Sequence, residues 1–419
     1  MTNLRDFLDA SPTPHHVCHT AAGMLQLASY SVADYRSVNL GFFESERGAV
    51  SRDGALIAWN WPKSNSGDAG VFLVGAHTDS PGLRLKPHPS STTAGWNQLN
   101  VEIYGGVLLN SWLDRDLGVA GRIFYKDGTS SLFDYDLPLA RVPQLAIHLD
   151  RDISDKGLLL NRQHHMKPVW GTDTSKDFTT WLAEQLDIKR SQISSFDLSL
   201  YDIQKATFLG ADQSLIASGR LDNQVSCWAA TSALLTNAQF SRPFIVALFD
   251  HEEVGSQSIN GAGGPLLEHV ITELLSSRSM QSRWPQIARR SLCISADNAH
   301  GIHPNYQDRH DQDHAPRVNA GPVVKFNTNQ RYATSHSSIA HIEQVANNLL
   351  IPLQTFVSNN AQPCGSTIGP ITSSRLGVET VDIGIPQISM HSAREMCGSR
   401  DPDYLLELLT GLALANSSA

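Results

Sequence analysis

The chain has 419 residues, 41% hydrophobic and 17% charged, which is ordinary globular material for two or three domains with a sizeable core. Its net charge of −9 argues against a nucleic-acid footprint and against an anionic membrane surface as partners. A small acidic ligand stays open, because one local cation can bind it.

The N-terminus, MTNLRDFLDASPTPHH, has no basic region leading into an apolar one, and no apolar run approaches the length of a membrane span. A cytoplasmic protein is expected. The scattered Cys18, Cys227, Cys293, Cys364 and Cys397 contain no CxxC pair and are expected to be buried free thiols.

In chain order, the first strand signal is VFLVGA (71–76), a continuous apolar run. From about 90 to 212 helical periodicity is scarce. Short β-type runs dominate: LNVEIYG (99–105), GRIFYKDGTSSLFDYD (121–136) with a Lys-Asp-Gly hairpin turn, and QLAIHL (144–149). A helix is expected around TTWLAEQL (179–186), and the rest of 151–200 reads as polar and loop-like. Next, NQVSCWAATSALLTNA (223–238) carries Val225, Trp228, Ala229 and Leu235 at helical spacing, after a possible cap at Asp222. PFIVALF (243–249), LCISA (292–296), GPVVKF (321–326), PLQTFV (352–357) and VETVDI (378–383) read as strands. SIAHIEQVANNL (338–349) and YLLELLTGLALAN (404–416) read as helices. The alternation predicts an α/β sandwich with a largely parallel sheet, split by a β-rich insertion.

In such sheets ligands gather at the carboxyl ends of strands. Here VFLVGA runs into His77-Thr78-Asp79, PFIVALFD into His251-Glu252-Glu253, LCISA into Asp297-Asn298, and VDIGIPQIS into Met390-His391. Asp222 stands at a helix start. Histidines and carboxylates without cysteine suit divalent ions with open positions. Enough carboxylates allow two ions about 3.5–4 Å apart, bridged by one Asp, which clamp a carbonyl and activate a water. The chemistry then needs a carboxylate that is not a ligand, to move the proton. The tandem Glu252-Glu253 suits that division.

The stretches GAHTDSPGLRLKP (75–87), IYGGVLLNSWLDRDLGVAGR (103–122), SGRLDNQVSC (218–227), FDHEEVGSQSINGA (249–262), SADNAHGIHPNYQDRH (295–310), PCGSTIGPI (363–371) and PQISMHSAREMCG (386–398) together resemble the aspartyl aminopeptidases. These are binuclear zinc aminopeptidases that form tetrahedral dodecamers. The resemblance spans nearly the whole chain. It implies a three-layer, zinc-peptidase-like α/β domain formed by 1–87 and 213–419, interrupted by a β-rich dimerisation domain at 88–212. It implies two divalent ions per subunit, zinc with cobalt or manganese as alternatives. His77 and Asp297 would hold one ion, His391 and Glu253 the other, and Asp222 would bridge them. Asp79 would orient His77, and Glu252 would be the general base. The implied substrates are peptides with an N-terminal Asp or Glu, and the implied partners are copies of the chain, assembled as a dodecamer built from dimers. Among the cations Arg84, Lys86, Lys325, Arg331 and Arg394, the resemblance favours Lys325 as reader of the acidic side chain. It gives Tyr332 and His300 the support of the tetrahedral intermediate, and has His148 reach into a partner's active site.

Duller readings stand beside these. An aminopeptidase of other specificity, an amide deacylase, or a non-catalytic assembly protein on the same scaffold would share most of these residues. HGIHPNYQDRHDQDH (300–314) is rich in histidine, yet His303, His310 and His314 are expected in a surface loop or oligomer contact rather than on a catalytic metal. His15 and His16 are expected to be solvated, Asp114–Asp116 to form a turn or salt-bridged element, and Cys227 and Cys397 to be core thiols.

Overall fold

The computed structural model describes residues 2–63, 70–236 and 239–415. The last residues of two predicted helices, 237–238 and 416, lie outside the described residues.

The sequence folds as a nine-stranded sheet in the order Ser31–Asp34, Arg47–Arg52, Ala55–Asn60, Phe244–Phe249, Phe72–His77, Leu292–Ala296, Glu379–Gly384, Val323–Phe326, Gln354–Val357. Its centre is parallel: Phe72–His77 pairs in parallel with both Phe244–Phe249 and Leu292–Ala296, and the latter with Glu379–Gly384. Phe244–Phe249 is apolar throughout, and Phe72–His77 and Leu292–Ala296 nearly so, because both faces are covered. Phe72, Val74 and Ala76 enter one core with Val246 and Ile294, under the helices Pro14–Leu27, Leu221–Leu234 and Asp401–Leu414. Leu73, Ile245, Ala247 and Cys293 enter the opposite core with the helix Leu266–Ser276. Side chains two apart share a face, so one run of residues feeds two cores. This is the three-layer α/β sandwich expected.

A second sheet of six antiparallel strands has the order Ser130–Ala140, Leu117–Tyr125, Ile193–Asp202, Gly82–Thr93, Trp96–Tyr104, Val169–Gly171. It has its own core, closed by the helix Phe178–Gln185. A small five-stranded sheet (Thr207–Leu209, Leu215–Ser218, Glu395–Gly398, Pro386–Ile388, Ala299–His300) lies between the other elements in sequence.

Four expectations are corrected. Residues 144–149 form no strand; Ile147–Leu149 is a 3-10 turn. The run lacks a partner strand, and Leu145, Ile147 and Leu149 are exposed. Within 151–200, Ile193–Asp202 is a long strand inside the second sheet. Leu198 and Leu200 enter the second sheet's core while Asp197, on the other face, meets His15, a pattern that polarity alone conceals. His15 and His16 are buried: His15 Nε2 lies 3.1 Å from Asp197 Oδ2, and His16 Nδ1 2.8 Å from Thr13 Oγ1. Of the cysteines, all free, Cys364 is only half-buried. Burial pushes the thiols of Cys227 up to about 12 and of Cys397 beyond the ordinary range, as core positions do. No described helix is long and apolar enough to cross a membrane.

Candidate metal centre

The parallel strands deliver their carboxyl ends to one place. His77 is the last residue of its strand and stands in register with Phe249, so the segments that follow leave the sheet at the same level. Residues 252–254 make one 3-10 turn, flanked by left-handed His251 (φ 65) and Gly255 (φ 95). The tight turn sends the neighbouring side chains apart. Asp222 lies in the first turn of its helix, and its carboxylate faces two imidazoles rather than capping.

The five candidate ligands come together as two overlapping triads. His77 Nε2 is 3.4 Å from Asp222 Oδ1 and 3.7 Å from Asp297 Oδ1. His391 Nε2 is 3.6 Å from Asp222 Oδ2 and 3.3 Å from Glu253 Oε1. Asp222 thus offers one oxygen to each triad. His77, Asp222 and Glu253 also have ligand atoms all within 4.8 Å of one another. Bonds of about 2.0 Å in a tetrahedron put donors roughly 3.3 Å apart, close to these spacings. Asp222 Oδ1 and Glu253 Oε1 are buried without a hydrogen-bond partner, a costly condition unless a cation fills it. The residues present fit a divalent metal.

The electrostatics agree. Burial pushes Glu252 up to about 8, and the charges of Asp297 and Glu253 push the same way. Burial, then Asp222, raises Glu253 to about 7. Burial disfavours protonation of His391, but the Asp222 and Glu253 carboxylates outweigh it and raise the imidazole to about 11. The acids demand positive charge at that nitrogen, and a metal supplies it in place of a proton.

Around the triads lies a supporting layer that sequence reasoning identified only in part. His77 Nδ1 meets the backbone oxygen of Asp79 at 3.0 Å and its Oδ1 at 3.5 Å. The Asp79 carboxylate instead accepts the backbone N–H of Glu252 and of Glu253, and the hydroxyl of Tyr104. Glu395, which sequence reasoning missed, accepts the backbone N–H of Asp222 at 3.0 Å and of His391 at 2.7 Å. It stands four residues after His391 on an adjoining strand, and that proximity was its only signal.

The centre opens on a cavity lined by Glu252, His300, Lys325, Tyr332 and Thr367 among others. Of the five candidate cations, only Lys325 lines it. Lys325 is buried, donates to Asn298 O at 3.1 Å, and lies 3.5 Å from Asp297 Oδ2 and 5.1 Å from the Tyr332 ring. Burial raises the Tyr332 phenol above its usual range, so it is an O–H donor. Arg84 stacks on Tyr104, and Arg394 bonds Gln204, Lys205 and Thr207. His148 is exposed on its 3-10 turn and does not line this cavity. His303, His310 and His314 bond within their own loop and to Asp311. Arg115 pairs with Asp202, and Asp116 with Arg141, as a salt-bridged element would.

Comparison with known proteins accords with this chemistry. The family model described as "Aminopeptidase I zinc metalloprotease (M18)" matches residues 7–412. The chain is 46% identical to a probable M18 family aminopeptidase 2 of Streptomyces coelicolor, over 97% of this chain and 96% of that one. Among solved structures, the Ape4 and Nbr1 complex aligns with a TM-score of 0.92 at 33% identity, covering 98% of this chain and 84% of that one. The S. cerevisiae mApe1 dodecamer aligns at 0.84 and 28% identity, covering 97% and 94%. The chain belongs to the M18 family of zinc metallo-aminopeptidases.

Proposed function

We propose that the protein is a binuclear aminopeptidase that removes N-terminal aspartate or glutamate from peptides. One observation carries the two-ion reading: the oxygens of Asp222 turn separately to His77 and His391. His77, Asp222 and Asp297 hold one ion, and His391, Asp222 and Glu253 the other. Both are zinc, with cobalt or manganese as alternatives. Held by these residues, the ions would supply Lewis acidity toward the scissile carbonyl and a water.

The chain's own residues do the rest. Glu252 takes the proton from the attacking water and returns it to the departing amine. Asp79 holds the turn that aims it. Tyr332 and His300 donate hydrogen bonds to the developing oxyanion. Lys325 has three N–H donors, of which one meets Asn298 and one Asp297; the third reads the substrate's acidic side chain.

The active unit is a dodecamer built from dimers in the cytoplasm, joined through the β-rich domain at 88–212, with His148 completing a partner's site. The exposed Leu145, Ile147 and Leu149 around His148 support an interface there, as does the mApe1 dodecamer. The pairing of Lys325 with Asp297 favours a second reading, an aminopeptidase or amide deacylase of other specificity on the same scaffold. Rates on N-terminal Asp, Glu, Leu and Ala amides decide between them. Lys325→Leu is expected to lower kcat/KM for the acidic pair at least tenfold more than for the neutral pair. Equal losses on all four would favour the second reading.

A further inference from the structure

We infer that the segment Tyr104–Ser111, which leaves the six-stranded sheet, is a strap that positions His391, so that the inserted sheet completes one of the two triads. The inference rests on the reading that His391, Asp222 and Glu253 hold an ion.

His391 Nδ1 lies 3.1 Å from the Gly106 carbonyl oxygen. That acceptor calls for an N–H at Nδ1 and leaves the Nε2 lone pair facing Asp222 and Glu253. Leu108 N–H donates to His391 O at 3.1 Å, and Ser111 Oγ accepts from Ala393 N–H at 2.9 Å. His391 itself has φ 67, a left-handed conformation that a non-glycine residue keeps only when its surroundings impose it. At the strap's other end, Tyr104 donates to Asp79 at 2.7 Å.

The paired glycines explain how the strap comes so near. A Cβ on Gly105 (φ +72) would stand 3.1 Å from Glu253 Cβ, and one on Gly106 3.1 Å from His391 Nδ1. Two of the three residues of the His391 triad, Glu253 and His391, are therefore closely approached by glycine backbone. The His77 triad differs. Its imidazole is oriented by Asp79 O, two residues along its own chain. The inserted sheet reaches the His77 imidazole only indirectly, through Tyr104 and Asp79, whereas it holds the His391 imidazole directly. Strap variants should thus loosen one ion and spare its neighbour.

The test is a Zn²⁺ titration of chelator-stripped, full-length protein by calorimetry, with metal content and the Co²⁺ absorption spectrum read alongside. Glu253→Ala identifies which binding class belongs to the His391 triad. In Gly106→Ala the Kd of that class is expected to rise about 10–100-fold, while the other changes less than about threefold. Ser111→Ala, a milder change, is expected to shift the same class several-fold. Gly171→Ala, on the same sheet with nothing within 4 Å of the added Cβ, should leave both classes unchanged. Melting of the metal-free variants should match the parent protein, which separates positioning from folding. Unchanged affinities in Gly106→Ala, or equal weakening of both classes, would overturn the strap. Should Gly106→Ala not fold, Ser111→Ala decides by the same criterion. Fewer than two ions in the parent protein would instead overturn the two-ion reading.

Discussion

Glu252 and Glu253 rest their adjacent backbone N–H groups on opposite oxygens of one carboxylate, Asp79, at 3.0 and 3.1 Å. That shared anchor lets consecutive side chains leave the turn in different directions. Asp79 is fully buried and also accepts the Tyr104 hydroxyl, so both its oxygens are engaged. Asparagine would keep one acceptor and set an amide N–H against a donor. Asp79→Asn is expected to cost the metal-free protein about 1–3 kcal/mol. It should also lower kcat about 10–100-fold by loosening the turn. Urea unfolding in chelator, with steady-state kinetics, measures both. Ordinary kcat in that variant would mean the turn is held without the carboxylate.

The tandem acids should separate in mutation. Glu252→Gln keeps shape and removes the base, so kcat should fall about 10²–10⁴-fold with metal content intact. Glu253→Gln should instead deplete metal, because it removes a charged donor from the His391 triad. Metal analysis beside kinetics distinguishes the two. Depletion in Glu252→Gln would make it a ligand and unseat it as base.

What was legible in the sequence was what strand ends advertise. VFLVGA, PFIVALF and LCISA are apolar because both sheet faces are covered, and a charged residue directly after such a run has few structural excuses. His77, Glu252, Glu253 and Asp297 follow from that. Glu395 and Gly106 do not. Glu395 accepts the backbone N–H of Asp222 and His391, and Gly106 lends its carbonyl to the His391 imidazole; neither composition nor period records such contacts. The strand Ile193–Asp202 was hidden for a related reason: only one of its faces feeds an apolar core, and Asp197 on the other is satisfied by His15, far along the chain. Likewise, His16 looked solvated because its burial depends on packing that no local pattern encodes.

The proposal that His148 serves a partner's site predicts complementation. Glu252→Gln retains His148, and His148→Ala retains Glu252. A reciprocal mixed dimer would contain one complete site of two. Random re-assembly of equal amounts makes half the dimers mixed, so about a quarter of parent activity should return. Dissociating the two variants, mixing, re-assembling and assaying gives the answer. Activity no higher than the sum of the separate variants would place His148 outside the site.

His16 should leave a signature in acid that metals do not share. Burial first, and the nearby His15 next, lower its imidazole from 6.5 to about 3. Above pH 6.5 neither folded nor unfolded chain protonates it, and it adds no pH dependence. Below 6.5 the unfolded chain binds a proton that the folded chain refuses, so stability falls as pH falls, down to about pH 3. The slope approaches about 1.4 kcal/mol per pH unit, or about 2 kcal/mol between pH 7.5 and 5.0. His16→Asn cannot titrate. It should be less stable than the parent at pH 7.5 through lost packing, yet lose about 2 kcal/mol less on acidification to pH 5.0. Urea midpoints for both proteins in chelator, where metal release cannot contribute, measure the difference. If the two lose stability in parallel, His16 is not the group that refuses the proton.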